Sequence, residues 1–306
     1  MRYVKRNGRR RRGALQWPVM QEHADSLVPP PMENRRQFIV TKLAAGFAVA
    51  VCPIAAEAIH TDSDGLAASE IRVAVRDGEM PAYRAMPASG GPFPMVLVVQ
   101  EIFGVHEHIR DLCRRLAKLG YFAIAPELYA RQGDVAGLAN IQEIISKVVS
   151  KVPDEQVMAD LDDTVAWAEK HHHADTSRLG ITGFCWGGRV VWLYAAHSTK
   201  LKCGAAWYGQ IKGEVSAMRP RTALELAPEM KAPVIGFYGG KDQGIPVEQV
   251  EQMREALKEA NKPAEIRIYP DAGHAFNADY RPSYNEAAAK DAWSHMLAWF
   301  QKWGVK

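Results

Sequence analysis

The stretch that decides the fold is Leu179-Gly180-Ile181-Thr182-Gly183-Phe184-Cys185-Trp186-Gly187-Gly188, followed by the run 188–198. Residues 179–184 read as a buried strand and 188–198 as a helix, so the chain passes from one to the other across a single cysteine. Glycines at 183 and 187 are what such a bend requires. A strained backbone at its apex leaves no room for neighbouring Cβ atoms between strand and helix, which is the pattern of a nucleophile elbow with Cys in the place of Ser. The bend also lies at a helix N-terminus, whose free N–H groups favour a thiolate and can hold an oxyanion.

Working outward, strand and helix patterns alternate on both sides. Met95-Val-Leu-Val-Val-Gln is solidly apolar, as expected of a strand buried on both faces, and it leads to a helix bearing Ile109, Leu112, Cys113, Leu116 and Leu119 with Gly120 at its stop. Further strands are expected at 121–126, 204–208, 233–239 and 264–269. Helices are expected near 154–171 and 247–261 and at a final segment with Ala292, Met296, Leu297 and Phe300. Ile71 to Val75 and Pro81 to Met86 flank Asp77-Gly78, a tight hairpin signal. The expected fold is therefore α/β: a doubly wound, mostly parallel sheet with an N-terminal antiparallel hairpin, in one domain spanning 59–306.

In such a sheet ligands bind beyond the carboxyl ends of the strands, which makes polar residues just after apolar runs the candidates. Glu101 ends 96–100, Cys185 ends 179–184, Asp242 follows 234–241 and His274 lies in the loop after 266–269. Imidazole at 274 suits a base and acid near neutral pH, and Asp242 suits the group that fixes its tautomer. Cys113 and Cys203 lack a glycine frame and read as core. The run His171-His172-His173 does not suggest a metal, because three adjacent helical residues point about 100° apart; a helix C-terminus that welcomes positive charge explains it better.

Taken together, Gln100-Glu-Ile-Phe-Gly-Val, Ala125-Pro-Glu-Leu-Tyr-Ala-Arg, Gly183-Phe-Cys-Trp-Gly-Gly, Gly239-Gly-Lys-Asp and Ala272-Gly-His-Ala-Phe resemble the dienelactone hydrolase (carboxymethylenebutenolidase) family of the α/β-hydrolase fold, over nearly all of 70–303. The resemblance implies a triad of Cys185, Asp242 and His274. It also implies an oxyanion hole from the backbone N–H groups of Ile102 and Trp186, and a role for Glu101 at the resting thiol. Arg131 would hold a substrate carboxylate. The family's second arginine falls at Ala278, with Arg281 the nearest substitute, a departure that bears on the substrate. An esterase or lactonase acting through a cysteine thioester is expected, without cofactor or metal, because a thiolate displaces a stable oxygen leaving group far better than an amine. The alternatives are a general carboxylesterase or thioesterase, or a non-catalytic ligand-binding or thiol-sensing protein. Pocket walls are expected from 129–153 and 209–230, with Trp186, Trp207 and Tyr208 as aromatic lining.

Composition agrees with a globular enzyme: of 306 residues, 47% are apolar and 24% charged. The net charge of +3 belongs to the leader, since 1–58 hold ten Lys/Arg against four Asp/Glu and leave the body at −3. An acidic body offers nothing to nucleic acid, so the expected partner is a small lactone or ester. Segment 1–58 reads as a leader with a secretory signal: Arg35-Arg36 and Phe38 resemble a twin-arginine motif, Leu43–Ala56 is uncharged, and Ala56-Glu57-Ala58 ends it. Met32 is a credible alternative start. Fourteen uncharged residues are short for a membrane span, so transient contact with export machinery and a periplasmic or secreted destination are expected, with no stable anchor.

Overall fold

A computed structural model describes residues 58–171 and 173–306, all within one compact unit, Lys42–Lys306. The expected leader and signal, including Arg35, Arg36 and Cys52, lie outside the described residues, as does His172. Eight strands form one sheet: β1 (Leu66–Val75), β2 (Gly78–Pro87), β3 (Phe93–Val99), β4 (Phe122–Pro126), β5 (Ala174–Phe184), β6 (Cys203–Trp207), β7 (Val234–Gly239) and β8 (Ala264–Tyr269). Their spatial order is β1-β2-β4-β3-β5-β6-β7-β8. The first two pairings, β1 with β2 and β2 with β4, are antiparallel, and every other pairing is parallel. The expected hairpin is thus an edge added to a doubly wound sheet.

Seven α-helices connect the strands among the described residues: α1 (Glu107–Lys118), α2 (Ile141–Lys147), α3 (Asp154–Glu169), α4 (Trp186–His197), α5 (Ala223–Leu226), α6 (Val247–Glu259) and α7 (Glu286–Lys302). Helix α4 packs on β5 and β6, and ten of its residues besides Trp186 are buried, which is why its sequence lacks a polar face. The strongly amphiphilic α1 buries Ile109, Leu112, Cys113 and Leu116, as its spacing predicts, whereas Leu119, just past its last turn, is exposed, and Gly120 follows at φ 92°. None of these helices is long and apolar enough to cross a membrane.

Two local differences from expectation have simple causes. Strand β5 begins at Ala174, five residues before the apolar run, because Ala174 and Asp175 pair with Phe93 and Pro94 of β3 ahead of an irregularity, after which the pairing resumes at Leu179. Helices α2 and α5 were not expected: α2 spans 7 residues and α5 only 4, too few for a periodic signal, and their caps, Asn140 and Thr222, are the only local cue. The chain entering the fold is fastened to α1. Asp111 Oδ1 accepts the amide of Thr61 at 2.5 Å, and Arg114 Nε donates to the Thr61 carbonyl at 2.7 Å.

Candidate active site

Five strand ends meet at one rim. Cys185 follows β5 directly and is the N-cap of α4, with φ 56° and ψ −111°. A side chain in this region costs of order 1–3 kcal/mol, and such strain persists only where surroundings impose it. Here they do. The Cys185 amide donates to the Trp207 carbonyl at the end of β6, 3.0 Å away, and the glycines around it touch backbone on every side. A Cβ on Gly183 would lie 2.3 Å from the Gly187 carbonyl oxygen, and one on Gly187 would lie 2.5 Å from the carbonyl oxygens of Val99 and Gln100.

His274, in the loop after β8, directs Nδ1 at Asp242 Oδ2, 2.7 Å away. Asp242, in the loop after β7, is fixed in turn by the amides of Gly244 (2.8 Å) and Ile245 (3.1 Å), both donating to Oδ1. These two amides leave Oδ2 to the imidazole, which must then carry a proton on Nδ1. Burial acts to lower the His274 pKa, but the Asp242 carboxylate and the Cys185 sulfur outweigh it through charge and hydrogen bonding and raise it to about 10. Sulfur, imidazole and carboxylate are therefore one connected chain. Cys113 and Cys203 stand apart, buried as expected, with burial pushing both thiols well above their ordinary range.

Trp186 is the first residue of α4, so its N–H has no acceptor within the helix. Ile102 lies in a turn closed by a Glu101–Gly104 bridge, and this turn is pinned at its far end, where Glu127 Oε2 accepts the Val105 amide at 2.8 Å. Gln100 Oε1 accepts the Leu128 amide at 3.2 Å, tying the same segment to the chain after β4.

Glu101, 1% exposed, is engaged on one oxygen. Its Oε2 accepts the Tyr280 hydroxyl at 2.7 Å and faces His106 Nε2 at 3.3 Å, with an Arg281 nitrogen 3.9 Å away. Burial favours the neutral acid, yet Arg281 and then His106 hold this carboxyl well below the usual carboxylate range. Burial also lowers the pKa of His106. Arg281 is itself 4% exposed, and its guanidinium lies over the rings of Phe103 (4.4 Å) and Tyr280 (4.8 Å). Its Nε and one terminal nitrogen are buried without a hydrogen-bond acceptor among the described residues. Charge interactions with both Glu101 and Cys185 place it in the same site. Ala278, where the family arginine falls, is fully buried.

Arg131 is placed differently. Its guanidinium donates to both oxygens of Asp160 (2.7 and 2.9 Å) and, through Nε at 2.6 Å, to Asp77 in the hairpin turn. It joins the hairpin to α3, and neither Glu101 nor the sulfur is among its partners. His171 Nδ1 donates to the Trp167 carbonyl, 2.7 Å away, and the ring stacks on that of Trp167, as suits a helix end. No group of three potential metal ligands occurs among the described residues.

Three contributors escaped the sequence reading or were underweighted in it. His106 and Tyr280 belong to short segments, 106–108 and 279–281, in which a charged or aromatic residue at every position was the available signal. Tyr208 was read only as lining; it is a fully buried residue with φ 38°, its ring 5.2 Å from that of His274. Its hydroxyl senses the charges of Glu101, Cys185 and Arg281, and burial raises its pKa well above the ordinary phenol value.

A sheet of this order, with a strained cysteine bend after β5, an acid after β7 and a histidine after β8, defines an α/β-hydrolase fold. The model of the Dienelactone hydrolase family matches residues 80–304, and the chain belongs to that family. A protein of Methylorubrum extorquens provisionally named carboxymethylenebutenolidase is 60% identical over 281 residues, covering 92% of this chain and 97% of that one. An Escherichia coli K12 protein with the same provisional name is 53% identical over 269 residues, covering 88% and 99%. A crystal structure from Klebsiella pneumoniae, provisionally titled dienelactone hydrolase, superposes with a TM-score of 0.76 at 56% identity, covering 77% of this chain and 98% of that one. The chain is accordingly a hydrolase of the dienelactone hydrolase type.

Proposed function

We propose that this hydrolase opens enol-lactones or cleaves activated carboxylic esters through a thioester on Cys185. The observation that carries this reading is the chain from the Cys185 sulfur through His274 to Asp242, set on a bend that glycine contacts hold in place. The thiol proton passes to His274 and the sulfur attacks the acyl carbon. The developing oxyanion is taken by the N–H groups of Ile102 and Trp186, each such donor being worth roughly 3 kcal/mol. Collapse expels the enolate or alkoxide, which His274 protonates, and leaves an acyl-Cys185. Water, deprotonated by His274, then releases the acid and restores the thiol. Among relatives, a Bradyrhizobium protein provisionally named 2-oxo-3-(5-oxofuran-2-ylidene)propanoate lactonase, 30% identical over 221 residues, supports a lactone as substrate. For a substrate carboxylate we assign Arg281 as receptor, since its buried N–H groups lack acceptors whereas those of Arg131 are spent on Asp77 and Asp160. Mixing with a chromogenic ester tests the reading: mass spectrometry should find an acyl group on Cys185 that forms and decays at the rate of turnover. Turnover surviving in Cys185→Ala would refute it.

We further propose export by the twin-arginine route, on the strength of Arg35-Arg36, the uncharged stretch after them and Ala56-Glu57-Ala58. Replacing both arginines by lysine should retain the protein in the cytoplasm; unchanged extracytoplasmic yield would refute the route.

A further inference from the structure

One residue beside the site is held on both of its backbone groups by side chains. Val105 follows the turn that carries Ile102; its amide donates to Glu127 Oε2 at 2.8 Å, and its carbonyl accepts Arg110 Nε at 3.1 Å. The chain here lies between β3 and α1, so neither group has a strand or helix partner, and a buried backbone group left without one is costly. Glu127 is the first residue past β4, which lies beside β3 in the sheet, and its own amide donates to the Pro81 carbonyl of β2 at 2.8 Å. Its carboxylate fills the space that a side chain at position 104 would need: a Cβ on Gly104, itself at φ 73°, would lie 2.9 Å from Glu127 Oε2. On the other side Arg110, in the first turn of α1, is steadied by Glu70 of β1, 2.7 Å from its Nη2, and by the Tyr83 ring, whose centre is 5.6 Å from the guanidinium carbon.

These groups do not touch the reacting atoms. Glu127, Val105 and Arg110 line a cavity of about 400 Å³ together with Glu70 and Tyr83, and neither Cys185 nor His274 is part of its wall. What they hold is the turn, in which the Ile102 amide has no acceptor among the described residues. An oxyanion donor contributes in full only when its N–H already points to where charge develops, and one that must first be reoriented loses much of its effect. The turn is closed by one isolated bridge, Glu101 with Gly104, so it has few bonds of its own to fix that direction. We infer that Glu127 and Arg110 are positioning residues, which lock Val105 and through it aim the Ile102 N–H at the oxyanion. The inference deepens the proposed function and rests on its assignment of Ile102. The Val105 amide requires of residue 127 an oxygen acceptor and not a charge, so glutamine can stand in for Glu127 whereas methionine cannot.

Two rates measured on the full chain test this. Acylation of Cys185 by a chromogenic ester builds an oxyanion, whereas alkylation by iodoacetamide displaces iodide at a saturated carbon and builds none. Glu127→Met should therefore lower the ester kcat/KM by about 10- to 100-fold, somewhat less than outright removal of an oxyanion donor, and leave alkylation of the Cys185 peptide within about 2-fold of wild type. Arg110→Met should act in the same sense by about 3- to 10-fold, and it supplies the second reading if Glu127→Met does not fold. Glu127→Gln should recover most of the loss seen with methionine. Ester turnover within about 2-fold of wild type in both methionine variants, alkylation that falls in proportion to turnover, or a glutamine variant no better than the methionine one would each overturn the inference. Turnover of the ester by wild type without an acyl-Cys185 would contradict the proposed mechanism and this inference with it, and mass spectrometry of the wild-type chain alone reveals that failure. Acyl-Cys185 formed at the wild-type rate in Glu127→Met would sink the positioning role alone.

Discussion

Gly188 and Gly209 meet backbone to backbone: a Cβ on Gly188 would lie 2.8 Å from the Gly209 Cα and 2.3 Å from the Trp207 carbonyl oxygen. A Cβ on Gly209 would in turn lie 2.2 Å from the Gly188 carbonyl carbon. Neither contact can be relieved by rotating a side chain. The first turn of α4 therefore reaches the end of β6 only because both residues lack side chains, and this closeness also lets Cys185 donate to Trp207. Gly188→Ala and Gly209→Ala should each destabilise the protein by about 2–3 kcal/mol or more, as overpacking against a rigid neighbour does. Denaturant melts check this, and residual activity should fall further than stability because the elbow itself must move.

The pairing of Asp242 with His274 has a measurable pH signature. The His274 pKa, ordinarily 6.5, is raised to about 10 in the folded state. The protonated ring is thus favoured by folding, and its contribution is fully present below pH 6.5, declines above it and is lost as pH passes about 10. In melts across that window, wild type should lose several degrees that Asp242→Asn, already less stable at pH 6.5, does not lose. Parallel curves for the two proteins would contradict the assignment.

Arg281 and Arg131 should separate cleanly. Arg281→Met is expected to raise KM for anionic esters by about 10- to 100-fold, the worth of charged hydrogen bonds in a buried site, with little change for a neutral ester of the same leaving group. Arg131→Met should leave that ratio unaltered and lower the melting temperature, because it strands the buried Asp160 and frees the hairpin turn. Steady-state kinetics on matched esters, with melts of both variants, decide between them.

Trp207 offers a further check on how the sheet supports the site. Its Nε1 donates to Thr182 Oγ1 at 3.1 Å, and the Thr182 hydroxyl donates to the Ala205 carbonyl at 3.2 Å, all fully or nearly buried. Thr182→Val keeps the shape but orphans the indole N–H, at a cost of about 1–3 kcal/mol. Calorimetric unfolding should show this loss with the order of strand ends intact, so that activity per folded molecule changes little.

Much of this arrangement could be read before any coordinates. Parallel strands announce themselves as short apolar runs, and the residues after them, Glu101, Cys185, Asp242 and His274, do lie at one rim because the chain alternates strand and helix. The elbow was legible because only glycine fits its contacts. What could not be read were interactions between loops. Arg131 follows the right motif, yet Asp77 and Asp160 claim it, and both arrive from elements distant in sequence. Tyr280 and His106 find Glu101 across 179 and 5 residues respectively, and no periodicity encodes such meetings.

The clasp between Thr61 and helix α1 has a practical consequence for anyone shortening this chain. Asp111 and Arg114 are buried, and each gives one of its bonds to the backbone of that single threonine. Trimming back to Leu66, where the first strand starts, would strip both of a partner and loosen the helix that begins just past Glu101. Affinity tags and engineered cleavage points accordingly belong ahead of residue 58.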